Sequence, residues 1–130
     1  MKSLIVILIS TLIISMILGC GNAEPTEVGL DLEIRNETLH GNRFEDGVIK
    51  VQQGDTVTIN LTSDVPAYFH VHGYDLLNKI EPEKLFSFSF VATATGNFTL
   101  MMHKYTDDTG SHEENEGTEI ILGSLQVLPN

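Results

Sequence analysis

The sequence predicts an all-β domain, a sandwich or small barrel of short half-buried strands, and three observations carry that prediction. Apolar residues recur with a period of two along most of the chain beyond residue 29, as in a strand with one buried face. Turn-forming residues separate the alternating runs, at Asp46-Gly47, Gly54-Asp55, Ser63-Asp64-Val65-Pro66, Glu81-Pro82 and Thr95-Gly96. No segment repeats apolar residues at i, i+3, i+4 and i+7 over a helical length. About seven such strands in one small domain favour antiparallel packing in two layers.

In chain order, the first element lies outside the fold. Lys2 precedes "LIVILISTLIISMIL", an apolar run from Leu4 to Leu18. Its 15 residues suit the core of a signal peptide and fall short of the ~20 that a spanning helix needs. The run ends in Ile17-Leu18-Gly19-Cys20, which resembles a bacterial lipobox: a small residue, then Cys, directly after the apolar stretch. That resemblance implies a lipoprotein signal peptide over residues 1–19, cleavage before Cys20, and lipid attachment to the Cys20 sulfur. Two or more fatty-acyl chains such as palmitate on one residue hold a protein stably at a membrane surface. The expected location is the cell envelope, membrane-anchored, on the periplasmic or extracellular face. The polar stretch "GNAEPTEVG" then reads as a flexible tether, giving a lipidated Cys and tether over 20–28 and a folded domain over 29–130.

Removing residues 1–19 from the 130 leaves 111, the size of one domain. Lys2 goes with them, so the net charge moves from −11 to −12. A domain this acidic does not bind nucleic acid through its bulk charge, and its field attracts cations. Cys20 is the only cysteine. Once it is lipidated, neither a disulfide nor a thiolate ligand is available.

Within the domain, Leu30, Leu32 and Ile34 alternate with Asp31, Glu33 and Arg35. Val57, Ile59 and Leu61 alternate with Thr56, Thr58 and Asn60, and Phe86, Phe88 and Phe90 with Ser87 and Ser89. Phe98, Leu100 and Met102 alternate with Thr99 and Met101. Ile120, Ile121, Leu122, Leu125 and Val127 form a last apolar strand around Gly123. Between the last two lies the acidic insert "HKYTDDTGSHEENEG", from His103 to Gly117.

From Val48 to Pro129 the chain resembles the cupredoxins. The residues that carry the resemblance are "VQQGDTVTI", the Asp-Val-Pro turn entering "SDVPAYFHV", the passage from Phe90 to Phe98, and the closing "GSLQVLP". The resemblance implies a Greek-key β-sandwich, cupredoxin-like, with ligands at one end. The redox members of that superfamily hold copper with two His, one Cys and a weak axial ligand, around a short copper–thiolate bond. Carried across, their first His falls at Ala67, their Cys at Met102 and their second His near Tyr105. All three ligands are absent, so copper of the blue, type 1 kind is not expected. In their place stands "FHVHGYD", Phe69 to Asp75, which looks like a cysteine-free branch of cupredoxin-like domains.

On a strand, residues i and i+2 share a face, ~6.6 Å apart along the chain. Ala67, Phe69 and Val71 form the more apolar stripe and are expected in the core. Tyr68, His70, His72 and Tyr74 are then expected together on the other face. His70 and His72 could lean onto one ion at metal–nitrogen distances near ~2 Å. A third ligand is expected from His103, next to the Met101-Met102 pair, or from His112 beside Glu113 and Glu114 in the acidic insert. Imidazoles with carboxylate or water suit Cu(II) or Zn(II); adding the Met101 thioether favours Cu(I), while Met102 reads as core filling. His40, in "LHGNR", has no evident partner.

No nucleophile, phosphate loop or metalloprotease pattern is present, and no enzymatic activity is expected. The sequence thus points to a lipid-anchored protein binding copper or another divalent metal, with an unidentified protein partner. The alternative is a metal-free binding or structural module at the envelope, in which Tyr74 and Asp75 simply end a strand.

Overall fold

The computed structural model of the chain describes residues 24–105 and 119–130. Among them are ten strands and no helix: β1 (Glu27–Arg35), β2 (Thr38–Gly41), β3 (Phe44–Glu45), β4 (Val48–Gln52), β5 (Thr56–Ser63), β6 (Ala67–Val71), β7 (Leu76–Ile80), β8 (Phe86–Val91), β9 (Gly96–Lys104) and β10 (Glu119–Leu128). They form a four-stranded sheet in the order β2-β1-β5-β8 and a six-stranded sheet in the order β3-β4-β10-β9-β6-β7. The expected β-sandwich is therefore present. The signal segment 1–19, Cys20 and His112 lie outside the described residues.

Alternation builds the core. Leu30, Leu32 and Ile34 of β1, Val57, Ile59 and Leu61 of β5, Ala67, Phe69 and Val71 of β6, and Leu100 and Met102 of β9 are all buried between the sheets. Phe86, Phe88 and Phe90 of β8 are half-buried against that core. Period-two patterning leaves the intervening polar residues on the two outer faces.

Two expectations need correction. The sheets are mixed, not antiparallel throughout: β1 runs parallel to β5, and β4 parallel to β10. Each parallel pair joins strands far apart in sequence, so no hairpin signal marks it. In addition, β1 opens at Glu27, and Val28 is buried, so two residues assigned to the tether belong to the fold.

The entry of β1 is held by Asp55, only 3% exposed, in the turn between β4 and β5. Its Oδ1 accepts hydrogen bonds from the Thr26 N–H at 2.9 Å and the Thr26 hydroxyl at 3.0 Å. Its Oδ2 accepts from the Gln52 N–H at 2.9 Å. The Asp55 carbonyl also accepts from the Ala92 N–H at 2.9 Å, just past β8. Burial by itself would raise the Asp55 pKa. The hydrogen bonds from Thr26 and Gln52 outweigh it, with help from the Arg43 charge, and hold the carboxyl below its ordinary value.

Asp55→Ala is expected to cost roughly 3 kcal/mol at neutral pH, because it orphans the donors around a buried carboxylate. The folded-state pKa lies below the unfolded value of ~3.9, so this contribution is present above about pH 4 and is lost as pH falls through the folded pKa. Urea unfolding from pH 7 to pH 2 checks both points. The parent should lose stability in the acid limb, and Asp55→Ala should show a shallower acid loss.

Candidate metal centre

Strand β6 lies between β9 and β7 near one edge of the six-stranded sheet. Ala67, Phe69 and Val71 are wholly buried, which fixes Tyr68 and His70 on the outer face. Register then extends that face across the neighbours. His70 stands opposite Met101 on β9 and Leu77 on β7, and Met101 stands opposite Ile121 on β10. One row over, Tyr68 pairs with His103 and Lys79, and His103 pairs with Glu119. The chain leaves the strand after Val71, and the His72 N–H donates to the Thr99 carbonyl at 2.9 Å, keeping His72 beside β9.

Three of the expected residues therefore share one patch. The rings of His70 and His72 have centroids 4.7 Å apart, and those of His70 and His103 lie 6.4 Å apart. Bonds of ~2 Å to imidazole nitrogens put the ring centres of two ligands of one tetrahedral ion ~5 Å apart. The His70–His72 pair fits that spacing as it stands, and His103 would have to swing closer by about 1 Å to join it. Among the described residues no group of three or more His, Cys, Asp or Glu is already placed to hold an ion.

The His70 imidazole is held below the ordinary histidine pKa, first by burial and then by the neighbouring His72 and His103 rings, against the Asp75 and Glu119 carboxylates. A neutral imidazole offers the lone pair that a metal requires. His103 Nε2 sits 3.9 Å from Glu119 Oε1, too far for a hydrogen bond. Glu119 was not apparent as a neighbour in the sequence, because the two residues are separated by the whole acidic insert. His40 lies elsewhere, opposite Glu33 on the four-stranded sheet, in a shallow depression also lined by Asp31, Asn60 and Leu85.

Tyr74 departs from expectation. It does not join His70 and His72 on the outer face. The turn after β6 carries it to the end of the sandwich, with ring centroids 5.0 Å from Phe90 and 4.7 Å from Phe98. Its hydroxyl donates to the Ala94 carbonyl at 3.0 Å and accepts from the Ala94 N–H at 3.3 Å. Gly73 makes that turn at φ +88°, and a Cβ there would stand 2.7 Å from Phe98 Cδ1. The Gly and Tyr of "HGYD" thus pin the chain next to His72.

At the positions where the cupredoxin pattern would place its copper ligands, Ala67 and Met102 are fully buried core residues. Tyr105, nearest the expected second His, packs its ring 5.0 Å from that of Tyr68 and lies 4.4 Å under Lys79 Nζ. An apolar side chain, a thioether in the core and a phenol do not fit a type 1 copper site.

Comparison with solved structures gives the fold its name. A chain of a heme-copper terminal oxidase dimer, solved by cryo-EM, aligns over 97% of this chain and 94% of its own length at 20% identity and a TM-score of 0.55. A chain from the mixed-disulfide complex of a thioredoxin-like protein with subunit II of cytochrome c oxidase aligns over 87% of this chain and 88% of its own, at 15% identity and a TM-score of 0.50. The copper-containing nitrite reductase of Thermus scotoductus aligns over 82% of this chain at 20% identity and a TM-score of 0.50; only 28% of the reductase chain is covered. No protein-family model matches the sequence, and no curated protein matches it significantly. The fold is cupredoxin-like.

Gly73→Ala is expected to destabilise the domain by roughly 1–3 kcal/mol, from the left-handed backbone and the clash with Phe98. Tyr74→Phe, which removes only the hydroxyl, should cost about 1 kcal/mol. Urea unfolding of the two variants against the parent measures both.

Proposed function

We propose that this protein is a lipid-anchored envelope protein that binds copper on the outer face of its six-stranded sheet, for delivery or sequestration and without blue-copper redox chemistry. The observation that carries the reading is the 4.7 Å approach of the His70 and His72 rings on a surface that also holds His103. His70 and His72 are the primary ligands in this reading. His103 is the third, and His112 in the acidic insert is a further donor. Similarity to a copper-containing nitrite reductase is in keeping with it at the level of the fold.

The likeness of residues 17–20 to a lipobox supports the anchor: cleavage after Gly19 would leave lipidated Cys20 and a short tether ahead of the domain. The acidic net charge of −11 for the whole chain favours cation capture and disfavours nucleic acid.

A metal-free module is the competing reading, and the structural role of Gly73 and Tyr74 gives it an observation of its own. They account for the Gly and Tyr of "HVHGYD" without any ligand.

Titration of the full chain in detergent with Cu(II) and Zn(II) decides between them. The expected result is one-to-one binding, at least 100-fold weaker in the His70→Ala/His72→Ala double variant and about 10-fold weaker in His103→Ala, the scale on which ligand-support losses fall. Nitrogen hyperfine structure in the EPR spectrum of the Cu(II) form should disappear in the double variant. Weak multi-site binding that the double variant leaves unchanged would favour the metal-free module. For the anchor, Cys20→Ser should abolish incorporation of labelled palmitate and move the protein out of the membrane fraction.

A further inference from the structure

Strand β9 carries adjacent methionines with opposite fates. Met102 points between the sheets and is fully buried in the core. Met101 alternates to the outer face, where its cross-strand partners are His70, half-buried, and Ile121, 68% exposed. Yet Met101 itself is only 8% exposed. A side chain on the outer face of a sheet reaches that burial only by lying beneath its neighbours on the same face.

The imidazoles are among the residues on that face. Directly opposite residues of an antiparallel pair have Cβ atoms about 5 Å apart, so Met101 faces His70 within reach of its ring. His103 is two residues along the same strand and shares the face. His72 lies beyond His70, held against Thr99 of β9 by its backbone hydrogen bond. Met101 thus stands directly across from His70, on the face that His72 and His103 also share, and it is the one member with a soft donor atom.

Resting on the reading of His70 and His72 as ligands, we infer that the Met101 thioether completes their site and makes it selective for Cu(I) over Zn(II). Thioether sulfur is a soft, uncharged donor, which suits monovalent copper and adds little for zinc. Imidazole and thioether donors carry no formal charge, so the set stabilises a singly charged ion without the anionic ligand that a divalent ion favours. Three flexible torsions let the methionine move from packing to ligation without moving β9.

Anaerobic competition of the full chain in detergent against a chromophoric Cu(I) chelator, beside Zn(II) titration, tests this. Met101→Leu keeps the volume and the burial and removes only the sulfur. It is expected to weaken Cu(I) binding at least 10-fold, about 1.4 kcal/mol, while Zn(II) affinity stays within 2-fold. Met102→Leu, the core control, should leave the Cu(I) to Zn(II) ratio unchanged. X-ray absorption of the Cu(I)-loaded parent should show one sulfur scatterer beside the nitrogens, a readout that needs no variant. Cu(I) affinity in Met101→Leu equal to the parent's, equal losses for both metals, or a sulfur-free absorption spectrum each overturn the inference and leave the histidine site standing. A parent that binds neither metal one-to-one overturns the histidine site as well.

Discussion

The Asp55 carboxylate ties the two halves of this sandwich together at one end. Gln52 belongs to β4 in the six-stranded sheet, whereas Thr26 leads directly into β1 of the four-stranded sheet. Through its backbone the same residue reaches Ala92 beyond β8. The chain must cross from one sheet to the other between β4 and β5, and Gly54 at φ +94° makes the turn that presents Asp55 inward. Once Thr26 is held there, β1 is aligned beside β5 in parallel, with Glu27 opposite Thr56. A buried charge with three donors to its oxygens is costly to misplace, which makes this junction specific as well as stable.

With the sheets so joined, the site is decided by a choice of face. A strand with one buried side has a strongly specified register, since a one-residue slip exchanges its two faces. In β6 the three buried residues are Ala67, Phe69 and Val71, and a slip would put His70 into the core in their stead. The histidines are outward because the core demands the alternate positions. The central strands β9 and β10, on one side of β6, then bring Met101, His103 and Glu119 to the same patch without any loop having to close. The outer-face cluster is consequently as rigid as the sheet beneath it, apart from His72, whose place depends on the turn at Gly73 and the Tyr74 clamp.

How much of this could be read from residues alone follows the range of the interactions. Period-two alternation is local, so the two-layer fold, the core stripe of β6 and the pairing of His70 with His72 on one side were all legible. The Gly54-Asp55 dipeptide was visible as a turn, but its carboxylate's reach to Thr26, 29 positions away, was not. Parallel pairing of β1 with β5 and β4 with β10 has no local signature either. The short strands β2, β3 and β7 are too brief or too polar for alternation to register. Tyr74 was misassigned because alternation was carried past Val71, where Gly73 turns the chain. Glu119 and His103 meet only through the β9–β10 register, which a bulge between Ile121 and Gly123 shifts.

The inner end of the sandwich and its outer face offer a metal different environments. At the inner positions Ala67 and Met102 are sealed in apolar surroundings, where an ion would need anionic, fully satisfied ligands to repay its desolvation. On the outer face, His72 is exposed and His103 is 28% exposed at its side chain, so water and incoming ligands have direct access. Bound there, an ion keeps part of its solvation and can be approached by the donor groups of a second protein before it is released. Such a surface trades the tight, geometry-enforcing grip of a buried thiolate centre for exchange. In the proposed reading, ligands on the opposite side of the strand that lines the core would suit the cupredoxin-like scaffold to passing copper on rather than to holding it through electron transfer.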